Sequence, residues 1–452
     1  MWWPNDDSGV GMLGVRSIPR DVRRARRSRA VVAVSFCAVT ALTACSGATP
    51  KAAREPAAPA ELAFSVKEAA KGLKPTDTIE VSALAATGTL GDVSVKTADG
   101  QQALSGEVDA NGVWRNKGEL ALDTTYKIVA SATNADGVAT ESTRTFSTLR
   151  PKIDATYRVL PDGQTVGVGM PVMVTFDSPV QTEKMRAEVE RRMKITTTPK
   201  TEGSWGWVDS TQLMWRPKEY WKPGTKVQVN APLAGVQTGE SKWIRQDKGG
   251  TFTISKRARV VKVDLANHYM TVRDNGKVVA SYPISAGQRT RDWETRSGTK
   301  VITEKQDHLV MDAATLGVPE DDPNYYRTDV RHALRVTNTG EFFHGAPWSV
   351  GSQGRRNVSH GCVNMSPRAA AEFFNSTVVG DVAEFVGSGR QMKMGDGVPV
   401  WLLSYDKWKA RSAIHKVKQE AAEAAKKKAA AAKSSPAVSS PAPATSGTSG
   451  TN

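Results

Sequence analysis

Cysteine and histidine are scarce in this chain of 452 residues, which has three of the former and six of the latter. So few cysteines exclude a small domain held together by several disulfides. The run of apolar and small residues at 30–44 has fifteen positions, fewer than the roughly 20 that a membrane-spanning helix needs. His268, His308 and His332 occur singly, without further ligands at zinc-binding spacing. Neither a metal nor another cofactor is therefore expected.

The basic balance of the chain is concentrated at its two ends. The formal net charge is +15, of which residues 1–44 carry +4 and residues 407–452 carry +7. A nucleic-acid-binding domain would have a basic face within its folded part. The remaining +4 on the body of the chain therefore indicates no nucleic-acid partner.

The first 44 residues have the pattern of an export signal. Seven arginines between Arg16 and Arg29 precede the short apolar run, as in a signal peptide. The run ends in Leu42-Thr43-Ala44-Cys45, which resembles the lipobox of bacterial lipoproteins. The resemblance implies removal of 1–44, lipidation of Cys45, and a protein held on the outer face of the cell membrane with 45–61 as a tether. An ordinary signal peptide cleaved near Ala44 is the alternative.

This processing would leave Cys362 as the one free thiol of the mature chain. Cys37 would leave with the signal peptide and Cys45 would carry lipid. An unpaired thiol in an oxidising compartment is a liability unless its reactivity is needed. Cys362 is therefore interpreted as a nucleophile, and a buried inert cysteine is the alternative.

Two all-β modules are predicted before the histidine-containing part of the chain. Both 62–150 and 151–256 consist of short alternating strands separated by turn dipeptides, a pattern typical of β-sandwiches. They close alike, with Thr-Phe-Ser at 145–147 and Thr-Phe-Thr at 251–253. Two Ig-like modules are therefore expected, with a short helix at 182–194. Neither contains a histidine, so we place the chemistry in the third module.

The chain carries one highly specific motif, Ser-His-Gly-Cys-Val-Asn-Met at 359–365, with Phe-Phe-His-Gly-Ala-Pro-Trp upstream at 342–348. A cysteine becomes a nucleophile with the help of a nearby imidazole. The two motifs together resemble the active-site signature of the L,D-transpeptidases, cysteine enzymes that cross-link bacterial peptidoglycan. Actinobacterial members of that family commonly carry two Ig-like domains and a lipoprotein signal.

The resemblance extends over 257–388, including a predicted hairpin that turns at Asp274-Asn275-Gly276. It implies a mainly β chain, in which two Ig-like β-sandwich domains precede a β-rich L,D-transpeptidase catalytic domain. A tryptophan-containing extension, 389–415, would pack back on the catalytic domain as in relatives. A helix is predicted from 405 to 433, and 416–452 is assigned to that Ala/Lys helix and a disordered tail.

The resemblance also implies roles for the residues of the motif. Cys362 would attack a carbonyl of the peptidoglycan stem peptide, and His344 would take the thiol proton and later protonate the leaving D-alanine. A backbone carbonyl near Gly345 would orient the other nitrogen of this imidazole. His360 would shape the pocket rather than act as the base.

Further substrate contacts are expected around this pair. The N–H groups of Gly361 and Cys362, with the hydroxyl of Tyr326, are candidates for an oxyanion hole. Asn364 and Ser359 would hold the loop or the substrate. Two arginines of the same segment could meet stem-peptide carboxylates or simply be solvated: Arg355 and Arg356.

The segment from Asp307 to Thr339 is polar and reads as irregular, a pattern typical of an active-site lid. By resemblance, a flap over the site carries a methionine and a tyrosine that touch substrate. Met311 and Tyr326 match these two, although Tyr325 competes with Tyr326 and Met311 could equally pack in the core.

The function implied is formation of 3→3 cross-links through a Cys362 acyl-enzyme, with release of D-alanine from tetrapeptide stems. The partners would be a donor stem and the diaminopimelate amine of an acceptor stem. Carbapenems would acylate the same thiol. An L,D-carboxypeptidase, a protein-to-peptidoglycan ligase and a non-enzymatic wall-binding lipoprotein are the alternatives.

Overall fold

The computed structural model of this protein describes residues 55–290, 292–323 and 325–434. The predicted signal peptide, the lipobox with Cys45 and the tail beyond residue 434 lie outside the described residues. The predicted domain boundaries stay predictions.

The first module packs two antiparallel-rich sheets around one apolar cluster that includes Val81, Trp114, Ile128 and Phe146. The sheet orders are β1-β3-β7-β6 and β2-β9-β8-β4-β5. Alternate residues of β8 are buried, as expected for a strand with one face on a core. The strands are β1 Leu62–Phe64, β2 Ala70–Leu73, β3 Glu80–Ala83, β4 Thr89–Thr97, β5 Ala103–Leu104, β6 Gly106–Val108, β7 Trp114–Asn116, β8 Thr125–Thr133 and β9 Ala139–Thr148.

The second module has three sheets, ordered β10-β19-β18, β11-β13-β16-β15 and β12-β20-β17-β14. Its predicted helix is confirmed as α1, Glu183–Arg192, which begins after Thr182 because that side chain accepts from the N–H of Met185. The strands are β10 Ile153–Ala155, β11 Tyr157–Leu160, β12 Thr165–Val166, β13 Val172–Phe176, β14 Lys194–Thr198, β15 Gly203–Trp207, β16 Gln212–Pro217, β17 Lys226–Ala231, β18 Gln237–Gly239, β19 Lys242–Ile244 and β20 Lys248–Ile254.

The third module combines a five-stranded sheet, β23-β22-β21-β29-β24, with a four-stranded sheet, β25-β26-β27-β28. The predicted hairpin is confirmed: β22 and β23 pair, and Asn275 and Gly276 have φ of 51° and 81°, as a primed two-residue turn requires. The elements are β21 Arg259–Asp264, β22 Tyr269–Asp274, β23 Lys277–Pro283, β24 Gly298–Val301, β25 Glu304–Asp312, β26 Arg327–Arg335, β27 Phe342–Gly345, β28 Val363–Met365, helix α2 Pro367–Ser376 and β29 Val382–Val386.

The segment from Asp307 to Thr339 is partly regular, which corrects its interpretation as a wholly irregular lid. The strands β25 and β26 pair from Glu304↔Arg335 out to Asp312↔Arg327, and residues 313–326 between them form a tip that contains the 3-10 helix Ala313–Leu316. In these two strands Val330, Ala333 and Leu334 are buried, and the other residues are partly or fully exposed. Polar residues therefore occur on both faces, and the apolar alternation that marks a half-buried strand is weak.

The second and third modules share a continuous apolar core. One cluster contains second-module residues such as Val172 and Trp221, and it also contains Val301 and Val382 of the third module. The backbones meet at Gly167, whose N–H donates to the Val379 carbonyl at 2.8 Å. This contact leaves no room for a side chain, because a Cβ on Gly167 would lie 2.1 Å from the backbone nitrogen of Asp381.

The C-terminal extension contacts both the second and the third module, and its two tryptophans hydrogen-bond to the second. Trp401 donates from Nε1 to the carbonyl of Gly169 at 2.7 Å, and Trp408 donates to that of Ser204 at 3.0 Å. The guanidinium of Arg216 lies 4.6 Å from the Trp401 ring centroid. Other parts of the extension join the third module: the N–H of Met392 donates to the carbonyl of Ser297, and the Leu402 side chain lies against Gly298.

The predicted C-terminal helix is interrupted, forming α3, Tyr405–Lys409, and α4, Ala413–Ser434. The buried carboxylate of Glu190 accepts from Ser412 Oγ at 2.5 Å and from the N–H of Ala413 at 2.6 Å, so it caps the start of α4. None of the helices within the described ranges combines the length and the apolar content of a membrane span.

We expect Gly167→Ala to lower the thermal unfolding midpoint by several degrees, since forcing a methyl into this backbone contact costs about 1–3 kcal/mol. Differential scanning fluorimetry would measure the change. Gly395→Ala is the control, because no atom lies within 4 Å of a Cβ at that position. Equal midpoints for the two variants would show that the contact with Asp381 is not tight in solution.

Candidate active site

The two motif segments lie side by side because β27 and β28 pair in parallel. Phe343 is opposite Val363 and His344 is opposite Asn364. Cys362 directly precedes β28, so the pairing brings the thiol close to β27, the strand that carries His344. Parallel neighbours need a long crossover, and residues 346–362 supply it.

The thiol of Cys362 is buried and protonated in this structure. The side chain is 8% exposed, and burial raises the pKa of the thiol to about 12. Its hydrogen bond goes to the carbonyl of Gly340, with Sγ and O 3.5 Å apart. Among the residues described, no imidazole nitrogen accepts from this sulfur. The resting site therefore holds a neutral thiol rather than a preformed thiolate.

The imidazole of His344 is held in one tautomer. Its Nδ1 lies 2.9 Å from the carbonyl of Gly345, which can only accept, so Nδ1 carries the proton. The other nitrogen, Nε2, is consequently an acceptor. Burial lowers the pKa of His344 to about 4, so the ring is neutral at physiological pH. A neutral imidazole with an unprotonated Nε2 can take a proton, as a general base must.

The imidazole of His360 belongs to an aromatic stack. It lies 4.9 Å from the Tyr326 ring, nearly parallel, and the Trp293 ring meets it edge-on at 4.6 Å. Partial burial lowers the pKa of His360. The residue forms part of the pocket wall. Trp293 was not predicted from the sequence, since no motif links its position to the cysteine.

The loop before the thiol uses one of its two candidate oxyanion donors internally. The N–H of Gly361 donates to Ser359 Oγ at 3.2 Å, and that hydroxyl donates to the carbonyl of Cys362 at 2.6 Å. Gly361 also has φ of 130°, which favours glycine. The Gly361 N–H is therefore occupied. Within the described chain the N–H of Cys362 has no acceptor, so it remains the available backbone donor.

Asn364, one of the pocket-lining residues, also supports the crossover. Its Nδ2 donates to Ser349 Oγ at 3.1 Å, and its backbone bonds to Ser285 in both directions. The side chain thus ties β28 to the 3-10 helix Pro347–Ser349.

A Cβ group on Gly345 would meet only contacts of 3.4 Å or more, so the position tolerates a small side chain.

The thiol and both motif histidines line one pocket of about 290 Å³. The hairpin β25–β26 closes one side of it with Met311 and Tyr326, whereas Tyr325 is not among the lining residues. Burial raises the pKa of Tyr326 to about 12, so its hydroxyl stays a donor. The described lining contains no Asp, Glu, Lys or Arg: Met311, Tyr326, Thr328, Val330, His344, Trp348, Val358, Ser359, His360, Cys362 and Asn364.

The remaining charged and imidazole groups lie elsewhere. Arg356 donates from Nε to Ser352 Oγ, and neither it nor Arg355 lines the pocket. His308 contacts Asp329 at 2.7 Å on the hairpin, and His268 contacts Asn357 at 3.0 Å. Over the described ranges, no three His, Cys, Asp or Glu residues come together as metal ligands would.

We expect alkylation of Cys362 by iodoacetamide to accelerate roughly tenfold per pH unit from pH 6 to pH 9, because the thiol's raised pKa leaves little thiolate over that range. Residues 46–452 contain no other cysteine, so mass spectrometry reports this thiol alone. N-acetylcysteine is the control and should level off near pH 8.5. A plateau for the protein below pH 7 would instead indicate a preformed thiolate–imidazolium pair.

Comparison with known proteins identifies relatives along most of the chain. Residues 70–237 match the model of a bacterial Ig domain, and residues 258–386 match that of the L,D-transpeptidase catalytic domain. The chain is 36% identical to L,D-transpeptidase 2 of Mycobacterium tuberculosis, over 78% of this chain and 85% of that protein. It is 33% identical to L,D-transpeptidase 5 of the same species, over 88% of each.

A solved structure of an L,D-transpeptidase in complex with imipenem is 36% identical, covers 52% of this chain and 100% of that chain, and gives a TM-score of 0.44. The matches along the sequence confirm the predicted fold class, with Ig-like modules before an L,D-transpeptidase catalytic domain. The chain is an enzyme of mainly β structure, and it belongs to the L,D-transpeptidase family.

Proposed function

We propose that the enzyme forms 3→3 cross-links between peptidoglycan stem peptides through a thioester on Cys362. The observation that carries the proposal is that a buried thiol and a neutral imidazole line one pocket, and that within the described chain no hydrogen bond occupies Nε2 of this imidazole. Such a pair can transfer a proton during attack without separating charge beforehand.

In the first half-reaction, the Cys362 sulfur attacks the carbonyl that joins the third and fourth residues of a donor tetrapeptide. His344 Nε2 takes the thiol proton, and the imidazolium then protonates the nitrogen of the leaving D-alanine. The Gly345 carbonyl accepts from Nδ1 throughout and stabilises the transient imidazolium. The products are free D-alanine and a thioester of the tripeptide stem.

In the second half-reaction, the side-chain amine of an acceptor diaminopimelate attacks the thioester. His344 Nε2 takes a proton from the attacking amine, whose nitrogen forms the new amide bond. The carbon–sulfur bond breaks, and the imidazolium gives that proton to the departing Cys362 thiolate. Water at the same carbonyl would yield a trimmed tripeptide. The hairpin β25–β26 and the apolar lining favour the amine because they limit the access of water.

The tetrahedral oxyanion of both half-reactions would be bound by the N–H of Cys362 and the hydroxyl of Tyr326. The first has no acceptor within the described chain, and the second keeps its proton because its pKa is raised. His360 would orient Tyr326 through the ring stack. Met311 and Trp348 would contact the apolar part of the stem, with Ser359, Gly361 and Asn364 holding the loop.

The location of the enzyme follows from the signal in the sequence. We infer an exported protein anchored to the outer face of the membrane by lipid on Cys45, with 45–61 as a tether. The Ig-like modules would then act as spacers towards the wall. A rigid join between the second module and the catalytic module, through their common core, suits such a spacer.

The direct test incubates residues 46–452 with disaccharide-tetrapeptide and follows products by mass spectrometry. We expect loss of D-alanine and a 3→3 dimer, both absent with Cys362→Ala, because no other thiol is present. D-alanine loss without a dimer would indicate a carboxypeptidase. No reaction with either the meso or the LL isomer of diaminopimelate would favour a wall-binding protein or a protein-to-peptidoglycan ligase.

We expect Tyr326→Phe to reduce kcat for D-alanine release about 100-fold with little change in KM, since loss of one oxyanion donor weakens transition-state binding. Steady-state kinetics on the tetrapeptide would measure both constants. Tyr325→Phe is the matched control, because this neighbouring tyrosine does not line the pocket. Similar losses in both variants would remove Tyr326 from the oxyanion hole.

A further inference from the structure

A buried ion pair lies behind the active site, and the mechanism above does not use it. Lys300, in β24, is fully buried, and Glu341, just before β27, is 3% exposed. Lys300 Nζ lies 2.5 Å from Glu341 Oε2 and 3.7 Å from the centroid of the Phe385 ring. Arg296 donates to Glu341 Oε1 from both its backbone N–H and Nη1, each at 3.0 Å.

Stability alone does not explain these buried charges. Removing two charges from water costs several kcal/mol each, and apolar residues of similar volume often stabilise a fold equally well. The neighbouring positions of the two strands are apolar and buried: Val301 follows Lys300 in β24, and Ala383 of β29 pairs with Lys300. A specific geometric role is therefore the more economical explanation for Lys300 and Glu341.

Glu341 sits between the two backbone positions that contact the thiol. The preceding Gly340 carbonyl accepts the Cys362 Sγ hydrogen bond, and the following Phe342 packs with Cys362 in one apolar cluster. The Glu341 backbone is fixed on its other side, since its N–H donates to Thr337 Oγ1 at 2.9 Å. Both the side chain and the backbone N–H of Glu341 are therefore anchored directly beside the Gly340 carbonyl.

The same stretch of chain also holds the loop that carries the cysteine. Thr295 Oγ1 donates to the carbonyl of Gly361 at 2.8 Å and accepts from the N–H of Gly287 at 2.8 Å. Residues 295–300 therefore contact both halves of the site: the Gly361 side through Thr295, and the Gly340 side through Arg296 and Lys300.

We propose that Lys300 and Glu341 are positioning residues for the acyl transfer: their ion pair fixes the backbone that seats the Cys362 thiol in the pocket. The role rests on the proposed function, because the reaction it serves is the acylation of Cys362. Both residues act through the Gly340 carbonyl and Phe342 and touch neither the substrate nor the reacting atoms.

The charge balance of the cluster dictates the design of the variant. Arg296 Nε lies 3.2 Å from Asp396 Oδ2, so the cluster holds two cations and two carboxylates. Removing one charge alone would leave a buried unpaired partner and risk unfolding. The double variant Lys300→Met/Glu341→Gln removes one charge of each sign, and the glutamine amide oxygen can still accept from Arg296.

The experiment measures two rates on residues 46–452: acylation by imipenem, followed by intact mass, and alkylation by iodoacetamide as a function of pH. We expect the double variant to be acylated about 10- to 100-fold more slowly, as expected for a misplaced nucleophile. We also expect its alkylation profile to move to lower pH. The lost charges of Glu341 and Lys300 act on the thiol pKa in opposite directions, whereas a thiol that leaves its seat loses the burial that raises its pKa.

The matched control is Arg259→Met/Asp274→Asn, which removes another buried pair of the same module. Arg259 makes two bonds of 2.7 Å to Asp274, and both residues lie in the β21–β22 hairpin. We expect its acylation rate and alkylation profile to stay within twofold of the original. Thermal midpoints of both double variants would be recorded, so that a general loss of stability is recognised.

Three outcomes would overturn the proposal. In Lys300→Met/Glu341→Gln, the acylation rate or the alkylation profile could stay unchanged, or both double variants could lose the same fraction of the acylation rate. If the double variant does not fold, Glu341→Asp provides the second test, since it keeps the charge but shortens the reach by one methylene. It should show the same slowing. The last outcome separates the two proposals. If imipenem does not acylate the unsubstituted protein but the alkylation profile still shifts in the double variant, the proposed reaction is refuted and the positioning role stands.

Discussion

The parallel pairing of β27 with β28 is the constraint on which the active site depends. It places His344 opposite Asn364 and so brings the imidazole to the strand that follows Cys362. The crossover between the two strands carries Trp348 and Ser359, which line the same pocket. Its fold is held by internal bonds such as Asn364 to Ser349, so the pocket wall and the catalytic pair are built by one continuous segment.

Burial is the second constraint, and it makes the resting site neutral. It raises the pKa of Cys362 and lowers that of His344, so both groups hold their uncharged forms at physiological pH. A pocket without charged lining residues suits a reaction whose charge develops only during attack. The buried pair of Lys300 and Glu341 is an exception to this neutrality, and Glu341 directly follows the residue whose carbonyl accepts from the thiol.

The sequence predicted the family of the enzyme and several local elements. The resemblance carried by the motifs at 342–348 and 359–365 implied Cys362 as the nucleophile and His344 as the base, and these roles stay proposals. Asn275-Gly276 predicted the hairpin, because turn geometry depends on the types of neighbouring residues. The β-sandwich pattern of the first two modules follows from alternation over neighbouring residues. The helix at Glu183–Arg192 was found for the same reason, since its cap and periodicity are local.

Only the tertiary structure decided which partners these local elements meet. The tryptophans of the extension bond to Gly169 and Ser204 of the second module, and part of the lid is a paired hairpin. Tyr326 rather than Tyr325 lines the pocket, and the Gly361 N–H is occupied by Ser359. The sequence by itself determined which groups could react, because reactivity is a property of side-chain type and near neighbours. Their orientation, burial and remaining hydrogen-bond capacity depend on contacts between residues far apart in the chain, and these form only when the modules pack.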